Sequence, residues 1–217
     1  MKERQRVKKG ILFDLDGTLW DSSAEVVEAW NIYISEHTDR PERFTVDDAH
    51  RFMGRTLDEI ATMAFPDLPQ AEGLSICKGC VGTELEYLKD RKPHIFTGER
   101  EIMEELAKNY TLGVVSNCQD GYIQLYLAQC GFAELFADFE CVGRTGKSKG
   151  ENIRLVMERQ NITDCIYVGD TQGDCNAAKS AGVPFVHAAY GFGKVDDCAA
   201  ALNSLGELPE TAARLFK

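Results

Sequence analysis

No apolar run in the chain approaches the ~18 residues that cross a bilayer, and no internal repeat or low-complexity segment is visible. A helical membrane protein is therefore not expected. There is no basic stripe either. With 24 Lys and Arg against 35 Asp and Glu, the net charge is −11. That balance argues against a nonspecific nucleic-acid binder and favours a small-molecule partner reached through locally placed cations. A secretion signal is not expected either: MKERQRVKKG is basic like a signal n-region, but ILFDLD meets a charge after three apolar residues. The eight scattered cysteines are accordingly expected as reduced thiols in a cytoplasm. Cys77 and Cys80 in CKGC have the spacing of half a zinc site, but no second pair completes it and His94 is the nearest histidine. They read as plain thiols on or near a helix. What remains is an ordinary globular composition, 44% hydrophobic and 27% charged over 217 residues. That length holds one substantial core, or a core with a small accessory domain.

Hydrophobic period divides the chain in two. VKKGILFDLD reads as a strand that runs into carboxylates. Residues 21 to about 92 then carry helical patterns: SSAEVVEAWNIYISEH, TVDDAHRFM, TLDEIATMAF and LSICKGCVGTELEYLKD. From Pro93 onward helix and strand alternate. The strands are TLGVVSN, a weaker FECVG, CIYVGD and a last one at PFVHAAY; helices at EREIMEELAKN, GYIQLYLAQCGF, ENIRLVMERQN and TQGDCNAAKSAG lie between or before them. Short apolar strands separated by helices predict βα units around a parallel, Rossmann-like sheet flanked by helices. The all-helical block is an insertion after the first strand. Residues 1–20 plus 93–217 are expected as an α/β core and 21–92 as a small helical cap. Trp20, Trp30, Tyr33 and Phe52 are read as packing within that cap.

In open α/β sheets ligands bind beyond the carboxyl ends of the strands, near a switch point. Asp14 and Asp16 end the first strand, Ser116 and Asn117 the second. Lys147 and Lys149 follow the third in GRTGKSKGENI, and Asp170 with Asp174 follow the fourth in VGDTQGD. Clustered carboxylates with a hydroxyl and a lysine form a hard oxygen site suited to Mg²⁺, whose charge lets the acids stay ionised together. The GKS tripeptide does not make a P-loop, because the glycine required five residues before Gly146 is Cys141.

DLDGTLWDS, VVSN, the lysine-bearing loop and VGDTQGD together resemble the four ordered motifs of the haloacid dehalogenase superfamily, from residue 11 to about 190. The helical block resembles that superfamily's α-helical cap, and the chain looks like its phosphoglycolate phosphatase members. The resemblance implies a phosphatase with Asp14 as nucleophile, forming an aspartyl-phosphate, and Asp16 as general acid and then base. It implies Mg²⁺ held by the Asp14 carboxylate, the Asp16 backbone carbonyl and Asp170. Ser116 would bind a phosphoryl oxygen, with Asn117 beside it. A lysine would offset charge on the transferring group, and Asp174 would orient that lysine or the metal's surroundings. Many relatives have Lys-Pro where this chain reads TGKSKGEN. Lys149 is favoured because a helix begins there, and Lys147 is the alternative. Arg55 in FMGRTLDEI either reaches substrate from the cap or pairs with Asp58 or Glu59.

The acid at position 16 separates reaction classes. A dehalogenase has no leaving alcohol to protonate, and the phosphonate-cleaving relatives replace that acid. A small phosphorylated metabolite, phosphoglycolate among the candidates, is the expected substrate. A sugar-phosphate mutase resembling β-phosphoglucomutase is the alternative. A receiver-like phosphoaspartate module is the non-enzyme reading, disfavoured by Asp16 and by roughly seventy inserted residues.

Overall fold

The computed structural model describes residues 7–91 and 94–217. The expected cap boundary at Lys92 and Pro93, the first residues of the expected core and the basic start MKERQR lie outside the described residues. Six strands, β1 (Lys9–Phe13), β2 (Thr111–Ser116), β3 (Phe136–Cys141), β4 (Asp164–Gly169), β5 (Phe185–Ala188) and β6 (Ala200–Leu202), form one sheet in the order β3-β2-β1-β4-β5-β6. Every pairing is parallel. The last strand is therefore β6, not β5 as the sequence reading had it. AAL is too short, and its two alanines too small, to register as a hydrophobic run.

The sheet is apolar on both faces because helices cover both. Side chains alternate along β1: Ile11 and Phe13 pack with Met103 and Leu106 of α5 (Glu99–Ala107), Ile123 of α6 (Tyr122–Cys130) and Leu208 of α10 (Leu208–Leu215). Leu12 faces the other way, onto Ile153 and Val156 of α8 (Lys149–Arg159) and Ala178 of α9 (Gln172–Ala181). Ile166 and Val168 of β4 join the first cluster, and Cys165 and Tyr167 the second. The remaining core helix, α7 (Val142–Thr145), is a single turn after β3 that ends at Gly146.

Between β1 and α5 stands the inserted helical cap: α1 (Ser23–His37), α2 (Val46–Phe52), α3 (Leu57–Ala64) and α4 (Gln70–Lys89). Capping boxes Thr45–Asp48 and Thr56–Glu59 start α2 and α3. The helices close on a core of their own, built from Trp30, Ile34, Ala61, Phe65, Cys77 and Cys80. Cys77 and Cys80 are free, and burial pushes the Cys77 thiol up to about 12. Trp20 is not cap packing as expected. It sits in the sheet's own cluster, stacked on Tyr122 with ring centroids 5.3 Å apart. The two joins of the cap run side by side, bridged between Trp20 and Ile95 and by the Asp21 amide donating to the His94 carbonyl at 3.0 Å. No helix among the described residues is long and apolar enough to cross a membrane.

Candidate active site

β1 and β4 are neighbours on opposite sides of the chain reversal, with β2 and β3 beyond one and β5 and β6 beyond the other. A crevice opens there, and Asp14 and Asp170 sit on its two lips. The Asp14 amide donates to the Val168 carbonyl at 2.8 Å, which ties the first motif to the end of β4. Gly17, at φ +73°, completes the turn. A Cβ there would lie 2.4 Å from Asp170 Oδ2, so the backbone can pass this close only without a side chain.

One carboxylate oxygen from each of Asp14, Asp170 and Asp174 lies within 4.8 Å of the others, all three residues being buried. Lys149, the first residue of α8, is buried beside them. Its Nζ lies 2.6 Å from Asp174 Oδ1 and 3.0 Å from Asp14 Oδ1. The second oxygen of Asp174 accepts from the Thr171 amide at 3.0 Å and the Thr171 hydroxyl at 2.6 Å, so both Asp174 oxygens are engaged. Asp170 Oδ2 accepts from the Phe192 amide at 2.8 Å. Asp14 Oδ2 and Asp170 Oδ1 are buried without a hydrogen-bond partner. Two orphaned carboxylate oxygens, on two members of one buried acid cluster, suit a hard divalent cation, and the residues fit it.

The electrostatics agree with that reading. Burial first, and then Asp174, push the Asp14 carboxyl up to about 6 against the opposing pull of Lys149. Asp170 is raised well above the carboxylate range by burial and by Asp174 and Asp14. Burial works to lower Lys149, but Asp14 and Asp174 outweigh it and hold the ammonium well above its ordinary value. A bound divalent cation reverses the logic for the acids and keeps them ionised.

Asp16 stands apart from this cluster. Its carboxylate accepts from the Tyr122 hydroxyl at 2.9 Å and the Ser22 hydroxyl at 3.4 Å. Burial and then Asp14 raise it to about 7, Tyr122 pulling the other way. The two acids of DLDGT thus have different surroundings: one faces a cation site, the other a cavity that Asp16 helps to line. An acid with a pKa near neutrality is poised to give and take a proton.

Ser116 is buried at the end of β2 and lines the same cavity. Asn117 lies beside it, but its Nδ2 donates to the Gly54 carbonyl at 2.7 Å and so ties core to cap. The His50 and Phe192 rings, 4.3 Å apart, make a second contact of that kind. Arg55 lines the rim of the cavity, exposed, its Nε donating to the Arg51 carbonyl at 3.0 Å and not to Asp58 or Glu59. Lys147 is exposed and lies outside the cluster that Lys149 joins.

Several residues here were not singled out from sequence. Thr171 had a signal, since T-x-x-D in TQGD is a capping box that fixes Asp174. Tyr122 and Glu84 had none. Tyr122 lies 106 residues from the acid it touches. Glu84, on the cap helix α4, is buried and accepts from Trp30 Nε1 at 2.6 Å across 54 residues of sequence.

Burial pushes Glu84 up to about 8 from 4.5, against the Trp30 hydrogen bond. The unfolded chain then loses that proton first, so stability falls as pH rises from about 4.5 to about 8. Glu84→Gln keeps an acceptor for Trp30 and escapes this loss. Thermal melts should show the variant equal to the parent near the low end of that window. At its high end the variant should be more stable, by on the order of 2–4 kcal/mol. An offset that does not change with pH would contradict the assignment.

An open parallel sheet of this order, with a lysine-bridged acid cluster at its switch point and a helical cap over it, defines a capped Rossmann-like α/β protein with a buried acid site. The chain belongs to the haloacid dehalogenase-like hydrolases, whose family pattern matches residues 11–188. It is similar to a phosphoglycolate phosphatase of Xanthomonas campestris, 27% identical over 197 residues covering 88% of each chain. It is also similar to an N-acetylmuramic acid 6-phosphate phosphatase of Pseudomonas putida, 26% identical over 85% of this chain and 84% of the other. A haloacid dehalogenase-like family hydrolase of Streptococcus pneumoniae has the same fold, with a TM-score of 0.76 at 19% identity over 97% and 99% of the two chains. Membership of a hydrolase family sets aside the receiver-like reading.

Proposed function

We propose that the chain is a Mg²⁺-dependent phosphomonoester hydrolase that works through an aspartyl-phosphate on Asp14. The separation of the two acids carries this reading: Asp14 lies in the cation cluster with Lys149, and Asp16 lies at the cavity with its pKa raised to about 7. Asp14 attacks phosphorus, and the bond to the ester oxygen breaks. Asp16 gives its proton to that oxygen, then takes one from the water that cleaves the acyl phosphate. Lys149 faces the charge that gathers on the transferring group, and Ser116 supplies a hydroxyl at the same edge. Asp174, held by Thr171, keeps Lys149 in place. Asp14, Asp170 and the Asp16 backbone carbonyl would hold Mg²⁺, which supplies charge neutralisation for the acids and for the phosphoryl oxygens.

The division of labour follows the proposed domains: 1–20 plus 93–217 carry the chemistry, and 21–92 cover it and meet the leaving group. Closure excludes bulk water from the acyl phosphate. The substrate class is a small phosphorylated metabolite. The relatives supply two candidates by name, phosphoglycolate and N-acetylmuramic acid 6-phosphate. A cytoplasmic setting is supported by eight free cysteines. Chelation should remove phosphate release and added Mg²⁺ restore it. Hydrolysis that persists in excess chelator would overturn the cation part of this reading.

A further inference from the structure

Between cap and core lies a cavity of about 80 Å³, several times the ~10–15 Å³ that admits one water. Asp16, Ser116 and Asn117 line its core side, whereas Asp14 and Lys149 do not reach it. A phosphoryl group held between Asp14, Lys149 and Ser116 therefore turns its ester oxygen toward Asp16. The body of the alcohol then enters the cavity. The walls that meet it are predominantly apolar: Val26, Trp30, Phe44, Phe52, Met53 and Val81.

The charged groups lining this space are as informative as the apolar ones. They are Asp16, Glu84 and Arg55. Glu84 is buried to 7% exposure, and Trp30 is its one donor among the described residues. Among the described residues Arg55 is the only cation on the lining, and it is exposed, bonded to the Arg51 carbonyl. The carboxylate of a glycolate leaving group would be desolvated there with no buried cation on the lining, among the described residues, to receive it. Burying a charge unpaired is strongly unfavourable. An uncharged alcohol with an aromatic or branched body meets none of that cost and gains contact with the walls. Burial raises Glu84 to about 8, so near neutral pH its free oxygen can exchange a hydrogen bond with one polar group on such an alcohol.

We propose that the substrate is a phosphomonoester of an uncharged, largely apolar alcohol bulkier than glycolate, its body seated between Trp30, Phe52 and Val81 with Glu84 at the polar end. This rests on the phosphatase reading above and gives it a leaving group.

The test is kcat/KM for Mg²⁺-dependent phosphate release by the full chain from phenyl phosphate, 1-naphthyl phosphate and phosphoglycolate. The aryl esters should exceed phosphoglycolate by about tenfold or more, the scale expected for burying a small apolar body. Phe52→Ala removes one wall and Val81→Phe fills the space; each should bring the aryl-to-glycolate ratio down severalfold. The ratio compares two substrates on one preparation, so a loss of folded protein does not move it. Phosphoglycolate turned over as well as the aryl esters would overturn the substrate class and leave the phosphatase reading standing. A ratio unmoved by both variants would overturn the cavity as the seat of selectivity. Phosphate release from none of the esters would overturn the phosphatase reading, and this inference with it.

Discussion

Asp14→Asn should reduce phosphate release by roughly 10⁴-fold or more, the scale seen when a nucleophile is removed from a site whose parts act together. The amide keeps the shape of the side chain and cannot form the acyl phosphate. The same substitution should leave the fold intact. The Asp14 amide still bonds to Val168, and Lys149 still has Asp174. The sign of the stability change can be worked out. In the metal-free protein Asp14 is raised from 3.8 to about 6, so the unfolded chain ionises first and stability falls as pH rises between those values. Asn carries no such proton. Above that window, in chelator, the variant should melt at or above the parent, by on the order of 1–3 kcal/mol. Circular dichroism melts beside the activity assay separate the two effects. An inactive variant that is also unfolded would not meet this expectation.

Lys149→Met should be costly in both respects. Lys149 is buried with two carboxylates at hydrogen-bonding distance, and removing it leaves them facing each other uncompensated. Breaking a buried ion pair from one side costs about 3–5 kcal/mol. Removal of one preorganised charge from the transferring group costs about 10²–10³ in kcat. A cation held by the folded cluster alone would restore part of the lost stability, so added Mg²⁺ should raise it, but not the rate. Urea melts with and without Mg²⁺ check the first part and initial rates the second. The contrasting Lys147→Met, on an exposed side chain outside the cluster, should leave stability within about 0.5 kcal/mol. If Lys147→Met lost activity and Lys149→Met did not, the two lysines would have exchanged roles.

Much of this architecture was legible in the sequence because strands and acids carry local signals. GILF, TLGVVS and CIYVG are short apolar runs stopped by polar residues, and they became β1, β2 and β4. Gly131 and Gly182 close α6 and α9 in the left-handed conformation, as glycine after a periodic run predicts. Where the local signal is weak, the reading stopped short. QAEG, with one alanine and a glycine, does not look like a helix start, yet α4 begins at Gln70 behind Pro69. AAL shows too little to be seen as β6. The cation cluster joins residues whose motifs each carry a turn or strand-end signature, so its members could be named in advance. The cavity joins α1, α2, α3 and α4 to the ends of β1 and β2, and its apolar walls are side chains with no motif at all. Trp30 and Phe52 are packing residues by composition and walls of a cavity by position. Only the way the cap lies on the core makes them so, and a one-dimensional period does not encode that.

The central claim is a covalent acyl phosphate on Asp14. Borohydride added during steady turnover of a phosphomonoester reduces an acyl phosphate to the alcohol, so peptide mass spectrometry should find homoserine at position 14. The yield should depend on substrate and on Mg²⁺ and should vanish in Asp14→Asn. Homoserine at position 16 or 170 instead, or steady phosphate release with no reduced residue under any quench, would contradict the account.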